Sequence, residues 1–459
     1  MVMQSFFRHT ARAALSTVLL VPAAGRADQI DLASAMARAR ANAREVAASD
    51  ARRDAAEERV RIARSFRRPQ IRLSETWIRT DSPAQAFALQ LEQERFSFPE
   101  FAAADPNSPE AIDAATTRLE LEVPLWTGGE ITARIAQASH VAEGAAASGE
   151  RAADAAALAA GSAWVRLAQA RERVALLERA RDAVAAHVEL ARAYTDEGML
   201  VRSELLRAEV ELAGAEDLLI EARGDARVAE AELSFRLAAP LGTTWELGAV
   251  PAPPPLEEEL APWLATVADR RDLRAARSLL AAGELEARAQ RAGRLPRVGL
   301  VARGDLVDDT LFGSHGDSTT VLAVAQLELW NGGRRRAAIA AAEAEAVAGR
   351  AEVELLAEGV RLEVERALSA ARVARARQAT AASALQAAEE SLRIVEERFR
   401  AGVVQTIDVL DAATARREAE TRELVARAEA NLAALGLAFT AGRAPETALS
   451  GAGKRESLP

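Results

Sequence analysis

Cysteine is missing from all 459 residues. That excludes disulfide staples, thiol catalysis, thiolate metal sites and a lipidated cysteine behind a leader. Any attachment to a membrane must therefore come from the fold itself. Lysine is nearly missing too: Lys454 stands alone beside an otherwise all-arginine basic set, a bias of base composition rather than of function. Histidine is sparse, and His140, His187 and His315 lack the spacing of a metal site. Long apolar runs are also scarce. One stands at the start, AALSTVLLVPAA (13–24), and Pro22 breaks it short of membrane-spanning length. With Arg8, His9 and Arg12 before it and Gly25-Arg26-Ala27 behind, residues 1–27 read as a secretory signal cleaved after Ala27. Losing Arg8, Arg12 and Arg26 reduces 58 basic residues to 55 against 68 acidic ones, a net charge of −13. An acidic exported chain is a poor partner for nucleic acid.

What is present is a duplication. LELEVPLWTGGE (119–130) reads as an alternating strand that breaks at Gly128-Gly129 into a long helix. The chain writes LELWNGGRRR at 327–336, with Trp330 lying 204 residues after Trp126. Gly402 in RFRAGVVQTIDVL lies 204 residues after Gly198 in YTDEGMLVRSELL. Upstream, Pro69 in RRPQIRLSETWIR matches Pro296 in RLPRVGLVARGDL, each behind a charged helical segment. The organisation is a first repeat (28–240), a Pro-rich linker (241–261), a second repeat (262–440) and a tail (441–459) expected to be disordered. Each repeat follows one grammar: helix, strand, loop, strand, long helix, turn, helix.

The expected strands run from about 70 to 79, across the 119–126 stretch, from 297 to 307 and from 319 to 330. Ile71, Leu73 and Trp77 share a face that Glu75 interrupts. Leu119, Leu121, Val123 and Leu125 face away from Arg118, Glu120, Glu122 and Trp126. Ten residues suit a tilted crossing of a bilayer, although an ordinary soluble sheet fits the same pattern. Between Glu130 and Tyr194 there is no Pro, and Gly occurs only at 144, 149 and 161. About 65 uninterrupted residues make a rod of roughly 95 Å. The returning segment places Leu205, Ala208, Leu212, Ala215, Leu219 and Ala222 at coiled-coil steps. These helices carry too many charges to enter lipid.

Four strands cannot close a barrel, and an open edge in lipid leaves backbone groups unpaired. Three chains supply twelve. Gly128-Gly129 and Gly332-Gly333 then bend the backbone from strand to helix. Trp126 and Trp330 stand where an aromatic girdle meets headgroups, unless they merely pack on a neighbouring strand.

These features, above all FRAGVVQTIDVLDA (399–412), resemble the TolC-like outer-membrane efflux protein family over nearly the whole mature chain. AFALQLEQERF (86–96), in the long loop at 80–116, is similar to a recurrent feature of some members. The resemblance implies a mainly α fold with a small β part: a homotrimer with a twelve-stranded barrel in the outer membrane and an α-helical tunnel through the periplasm. It implies an exit duct without catalysis or cofactors, docked to a periplasmic adaptor and an inner-membrane transporter, in efflux of drugs or metals or in type I secretion. By the same resemblance Asp408 and Asp411 form acidic rings at a constriction near the tunnel tip, with Glu204 equivalent to Asp408. Three carboxylates on one axis bind cations and oppose anions. Asp408 also fits the first turn of a helix capped by Thr406. Gly198, Gly402 and Phe399 fall at the tip turns, where capping glycines and adaptor contact are both expected. Members often carry a basic residue two positions after the turn glycine. Here Leu200 and Val404 stand there, leaving Arg202 and Arg400 as nearby candidates for a latch.

An enzyme is the weaker class, because the many carboxylates lie among Arg at helical ion-pair spacing. A soluble periplasmic coiled-coil adaptor or scaffold is the better rival. Such a protein would not need four strands at repeat-symmetric positions, each joined to a long helix. The loop at 80–116 either caps the barrel from outside or folds inward as a plug.

Overall fold

The structure, a computed structural model, describes residues 28–448 except 104, 253, 254, 402 and 405. The expected signal segment, Gly402 and the tail from 449 onward lie outside the described residues.

In chain order the first repeat comprises β1 (Asp28–Ile30), α1 (Leu32–Asn42), α2 (Arg44–Ser65), β2 (Gln70–Thr80), α3 (Pro83–Glu92), α4 (Phe98–Ala103), β3 (Ile112–Trp126), α5 (Glu130–Asp196) and α6 (Arg202–Arg236). The linker contributes β4 (Trp245–Leu247) and the start of α7 (Ala261–Leu264), and the second repeat adds α8 (Arg271–Ala292), β5 (Arg297–Asp308), β6 (Asp317–Gln326), α9 (Arg334–Arg400) and α10 (Thr406–Thr440). The fold is mainly helical. The duplication extends to element lengths: α2 and α8 have 22 residues each, α5 and α9 have 67, and α6 and α10 have 35. At 1.5 Å per residue the 67-residue helices are about 100 Å long. Among the described residues no helix is long and apolar enough to cross a membrane.

Four strands form one antiparallel sheet in the order β2-β3-β5-β6, so two hairpins lie side by side and the repeats meet at β3–β5. Directly opposed residues share a face. One cross-strand row is Ile71, Leu121, Ala302 and Val321, and another is Val123, Leu300 and Ala323. Opposite them lie Arg72, Glu120, Arg303 and Thr320, then Ser74, Arg118, Asp305 and Ser318. One face of the sheet is apolar and the other is charged. The apolar face is bare in the single chain, with Ile71 73% and Leu73 65% exposed.

Four sequence expectations need correction here. The loop at 80–116 is shorter than expected, because β3 begins at Ile112, and it folds as α3 and α4. Trp126 does not share the side of Glu120 and Glu122. A bulge between Pro124 and Trp126 adds one residue and sets Trp126 opposite Val298, on the side of Leu300. Trp330 does not end a strand: β6 stops at Gln326, opposite Arg297 where β5 starts, so residues 327–330 have no partner strand to extend the ladder. The tail does not start at 441, because Ala441 is buried and Glu446 is held by Arg40 Nε at 2.9 Å.

Both diglycines are left-handed, with φ of +64° and +88° at Gly128 and Gly129, and +65° and +85° at Gly332 and Gly333. That conformation costs an L-residue about 1–2 kcal/mol. At Gly128 a methyl group would also sit 2.7 Å from Ala292 O, whereas Gly129 has open space. Gly128→Ala is expected to lower thermal stability more than Gly129→Ala, read from the loss of helical circular dichroism. Equal effects would show that the contact with Ala292 is unimportant.

The core lies midway along the helices. Trp164, fully buried in α5, donates from Nε1 to Ile30 O (3.1 Å), and Trp245 donates to Ser234 Oγ (2.9 Å). Parallel pairing of β1 with β4 closes this belt, which gives part of the expected linker a structural role. Asp154, 2% exposed, bridges Arg40 of α1 (2.6 Å) and Arg271 of α8, so one carboxylate fastens the two repeats. Nearby, buried Arg270 donates to Asp272 Oδ1 (2.9 Å) and Thr440 O (2.8 Å). Burial alone would raise the Asp272 pKa, but Arg270 and Arg151 outweigh it and hold the carboxyl below its ordinary 3.8. A depressed folded-state pKa contributes stability above the unfolded value and loses it as pH falls through the folded one. The urea midpoint of the native chain should therefore exceed that of Asp272→Asn at pH 6. The gap should shrink as pH drops below 3.8, and a constant gap would refute the charge account.

Candidate functional site at the helix tips

The two long hairpins end in turns of one design. After α5, Gly198 N–H donates to Thr195 O (3.0 Å) and Met199 N–H to Tyr194 O (2.8 Å), with Gly198 at φ +71°. This paired closure satisfies the last carbonyls of the helix. After α9, Val403 N–H donates to Arg398 O (2.9 Å), the bond equivalent to Met199–Tyr194. Met199, Val201 and Val403 are exposed at these turns. Apolar side chains at two tips thus face outward without cover from the chain.

Between the hairpins lies a cleft of about 450 Å³, walled by Leu190, Tyr194, Leu200, Phe399, Ile407 and Leu410, with His187, Glu204, Arg207 and Glu211 among its polar groups. Tyr194 and Phe399, one residue out of step in sequence, both reach it. A second cleft of about 640 Å³ continues along α5 and α10 past Val409, Ala413 and Arg417. Residues 407, 410, 413 and 417 therefore define the face of α10 turned to the first repeat. Asp408 and Asp411, three residues apart, share another face of that helix and are both exposed. Glu204 lies in the cleft, so within one chain the structure separates it from the two aspartates. Asp408 stands in the first turn of α10, which starts at Thr406, whose side chain lies outside the described residues. Of the latch candidates, Arg400 pairs one turn back with Glu396 (3.4 Å), and Arg202 opens α6.

At the other end the charged face of the sheet forms a network that the sequence reading did not pair. Arg118 Nε donates to Asp305 Oδ1 (2.7 Å) across the seam between the hairpins, and Arg72 contacts Glu120 (3.2 Å). Alternation marked Arg118 and Glu120 as co-facial; only the β3–β5 register supplies Asp305. Glu75, anomalous on the apolar face, accepts from Thr117 Oγ1 (2.5 Å) and from Phe312 N–H (3.1 Å). It belongs to the loop end of the sheet. There Phe87, Phe96 and Phe101 cluster with ring centroids 5.2–5.6 Å apart. Arg95, just beyond α3, pairs with Asp308 at the end of β5 (3.1 Å) and with Asp309 in the β5–β6 loop, and Gln93 Nε2 donates to Asp113 O (2.9 Å). Among the described residues no group of three or more His, Asp or Glu is arranged to hold a metal ion.

The chain matches the family described as outer membrane efflux protein over residues 35–239 and 265–443. Comparison with curated proteins returned no match. Similar solved structures include a membrane protein from Pseudomonas aeruginosa, with a TM-score of 0.75 and 21% identity, covering 90% of this chain and 93% of that one. The outer membrane protein VceC from Vibrio cholerae is also similar, with a TM-score of 0.72 and 19% identity, covering 90% and 96%. The open state of the MtrE outer membrane channel from Neisseria gonorrhoeae has a TM-score of 0.70 and 18% identity, covering 90% and 89%.

Proposed function

This chain belongs to the outer membrane efflux protein family, and from that premise we propose that three copies form a passive exit duct. The protein resides in the outer membrane with a large periplasmic part. One observation carries the reading: a four-stranded sheet with unpaired outer strands, β2 and β6, runs through diglycine bends into two helices about 100 Å long. Edge pairing of β2 with β6 of the next subunit closes a twelve-stranded barrel. Its apolar rows then face lipid, and the Arg118–Asp305 face lines the lumen. The helices continue the wall through water to the tips.

At the tips Asp408 and Asp411 of three subunits converge on the axis as two acidic rings. They concentrate cations and raise the barrier to anions. Glu204, in the cleft behind them, sits where the two hairpins of a subunit would part as the aperture widens. Gly198, Gly402 and Phe399 shape the ends that meet a periplasmic adaptor, and the exposed Met199, Val201 and Val403 supply apolar contact. An inner-membrane transporter delivers the substrate, so the duct needs neither cofactor nor catalytic group. Planar bilayers test this reading: purified protein should give discrete, long-lived conductance steps that favour cations. Protein that inserts without conducting would refute the duct.

A further inference from the structure

We propose that the rim where strands pass into helices is a basic collar that seats anionic phospholipid headgroups of the periplasmic leaflet. The proposal rests on the outer-membrane reading, which sets this rim on the periplasmic side, and adds the lipid that the rim recognises.

The two rims of the sheet carry opposite charge. At the loop end, residues 79–113 and 308–317 hold ten Asp and Glu against Arg79 and Arg95, a balance of −8. At the other end the joining segments 66–69, 126–130, 293–297 and 327–336 hold seven Arg against Glu130 and Glu328, a balance of +5. The whole chain has a net charge of −10, so the basic surplus is local. The acidic rim repels the same headgroups that the basic one attracts.

The two acids do not neutralise the collar. Glu130 pairs with Arg297 (2.6 Å), and Glu328 holds Arg334 (3.4 Å) and Arg335. Arg68, Arg294 and Arg336, one from each of three segments, are exposed and make no ion pair among the described residues. α9 also opens on three arginines where α5 opens on Glu130. Cations there oppose the helix macrodipole, and a bound anion removes the conflict. Between the end of α8 and the start of α9 lies a cleft of about 570 Å³. Gln290, Arg297, Asn331, Arg334 and Arg335 line it, together with the partner acids Glu130 and Glu328. It offers a phosphodiester several donors at once.

Apolar side chains are interleaved with these cations. Phe66 and Leu295 are exposed, and Leu329 (88%) and Trp330 (85%) lie just past the end of β6. The apolar face of the sheet thus continues into a rim of aromatic, leucine and arginine side chains. Such a surface meets acyl chain and phosphate together, and clustered arginine beside a membrane favours anionic lipid.

Lipid retention by the full-length protein in detergent tests the collar. From an equimolar mixture of phosphatidylglycerol and phosphatidylethanolamine, the native protein should retain the anionic lipid about tenfold over the zwitterionic one. The triple variant Arg68→Gln, Arg294→Gln, Arg336→Gln should fall to within about twofold. A charge-matched control, Arg361→Gln, Arg366→Gln, Arg377→Gln, alters exposed positions farther along α9 and should keep the preference. Equal retention of both lipids by the native protein overturns the collar. So does a preference that survives in the collar triple, an equal loss in both triples, or displacement of the lipid by inorganic phosphate at fixed ionic strength. Protein that retains neither lipid, and that carbonate strips from membranes, fails the outer-membrane reading instead.

Discussion

Replacing Asp408 and Asp411 together with Asn should weaken block of the channel by multivalent cations at least about tenfold and erode its cation preference. The change deletes six carboxylates from a trimer and alters almost no volume. A unit cation 4 Å from one carboxylate in water gains about 1 kcal/mol, and three converging groups multiply that, whereas a tenfold change in affinity needs about 1.4 kcal/mol. The cost to folding is small. Both residues are exposed on α10, and an acidic residue near a helix N-terminus contributes roughly 0.3–1 kcal/mol. Glu204→Gln is the internal comparison. It removes a carboxylate of equal charge from the cleft between hairpins, so single-channel recordings should show a much smaller change in block. Equal block in wild type and the double variant would take the aspartates out of the conduction path.

Leu119→Arg should abolish stable insertion. Leu119 lies midway along β3 on the apolar face, opposite Leu73 and Gly304. An arginine facing lipid near the bilayer midplane costs about 2–4 kcal/mol, incurred once per subunit. Glu122→Arg places the same side chain three residues on, on the charged face opposite Gln70 and Val301. Facing the lumen, it should leave the amount of inserted protein near wild type. Density-gradient fractions of outer membranes read both outcomes. If the two arginines behave alike, the sidedness assigned to the sheet is wrong.

The sequence made the helices legible because length and freedom from proline need no partner to be informative. The 204-residue spacing located both diglycine bends and both tips, and the helices on either side proved equal in length to the residue. Strand ends were less legible, since a strand ends where its neighbour does. β6 stops at Gln326 because β5 begins at Arg297, a fact absent from the local sequence of LELW. The turning of Trp126 had a signal that simple alternation ignored: Pro124 lacks the N–H that a regular ladder uses, and proline in a strand marks edges and bulges. α3 and α4 were hidden in a segment rich in Phe and Pro that reads as loop. The candidate gate was named by resemblance, and its division into Asp408–Asp411 on one side and Glu204 in the cleft appeared only when the hairpins were set side by side.

The most direct test of the central claim, that one chain supplies a third of a closed barrel, is the mass of the particle extracted from native outer membranes. The account predicts that carbonate leaves the protein in the membrane, that detergent is needed to release it, and that the released particle has a three-chain mass. Release by carbonate alone, or a detergent particle of one chain, would contradict it.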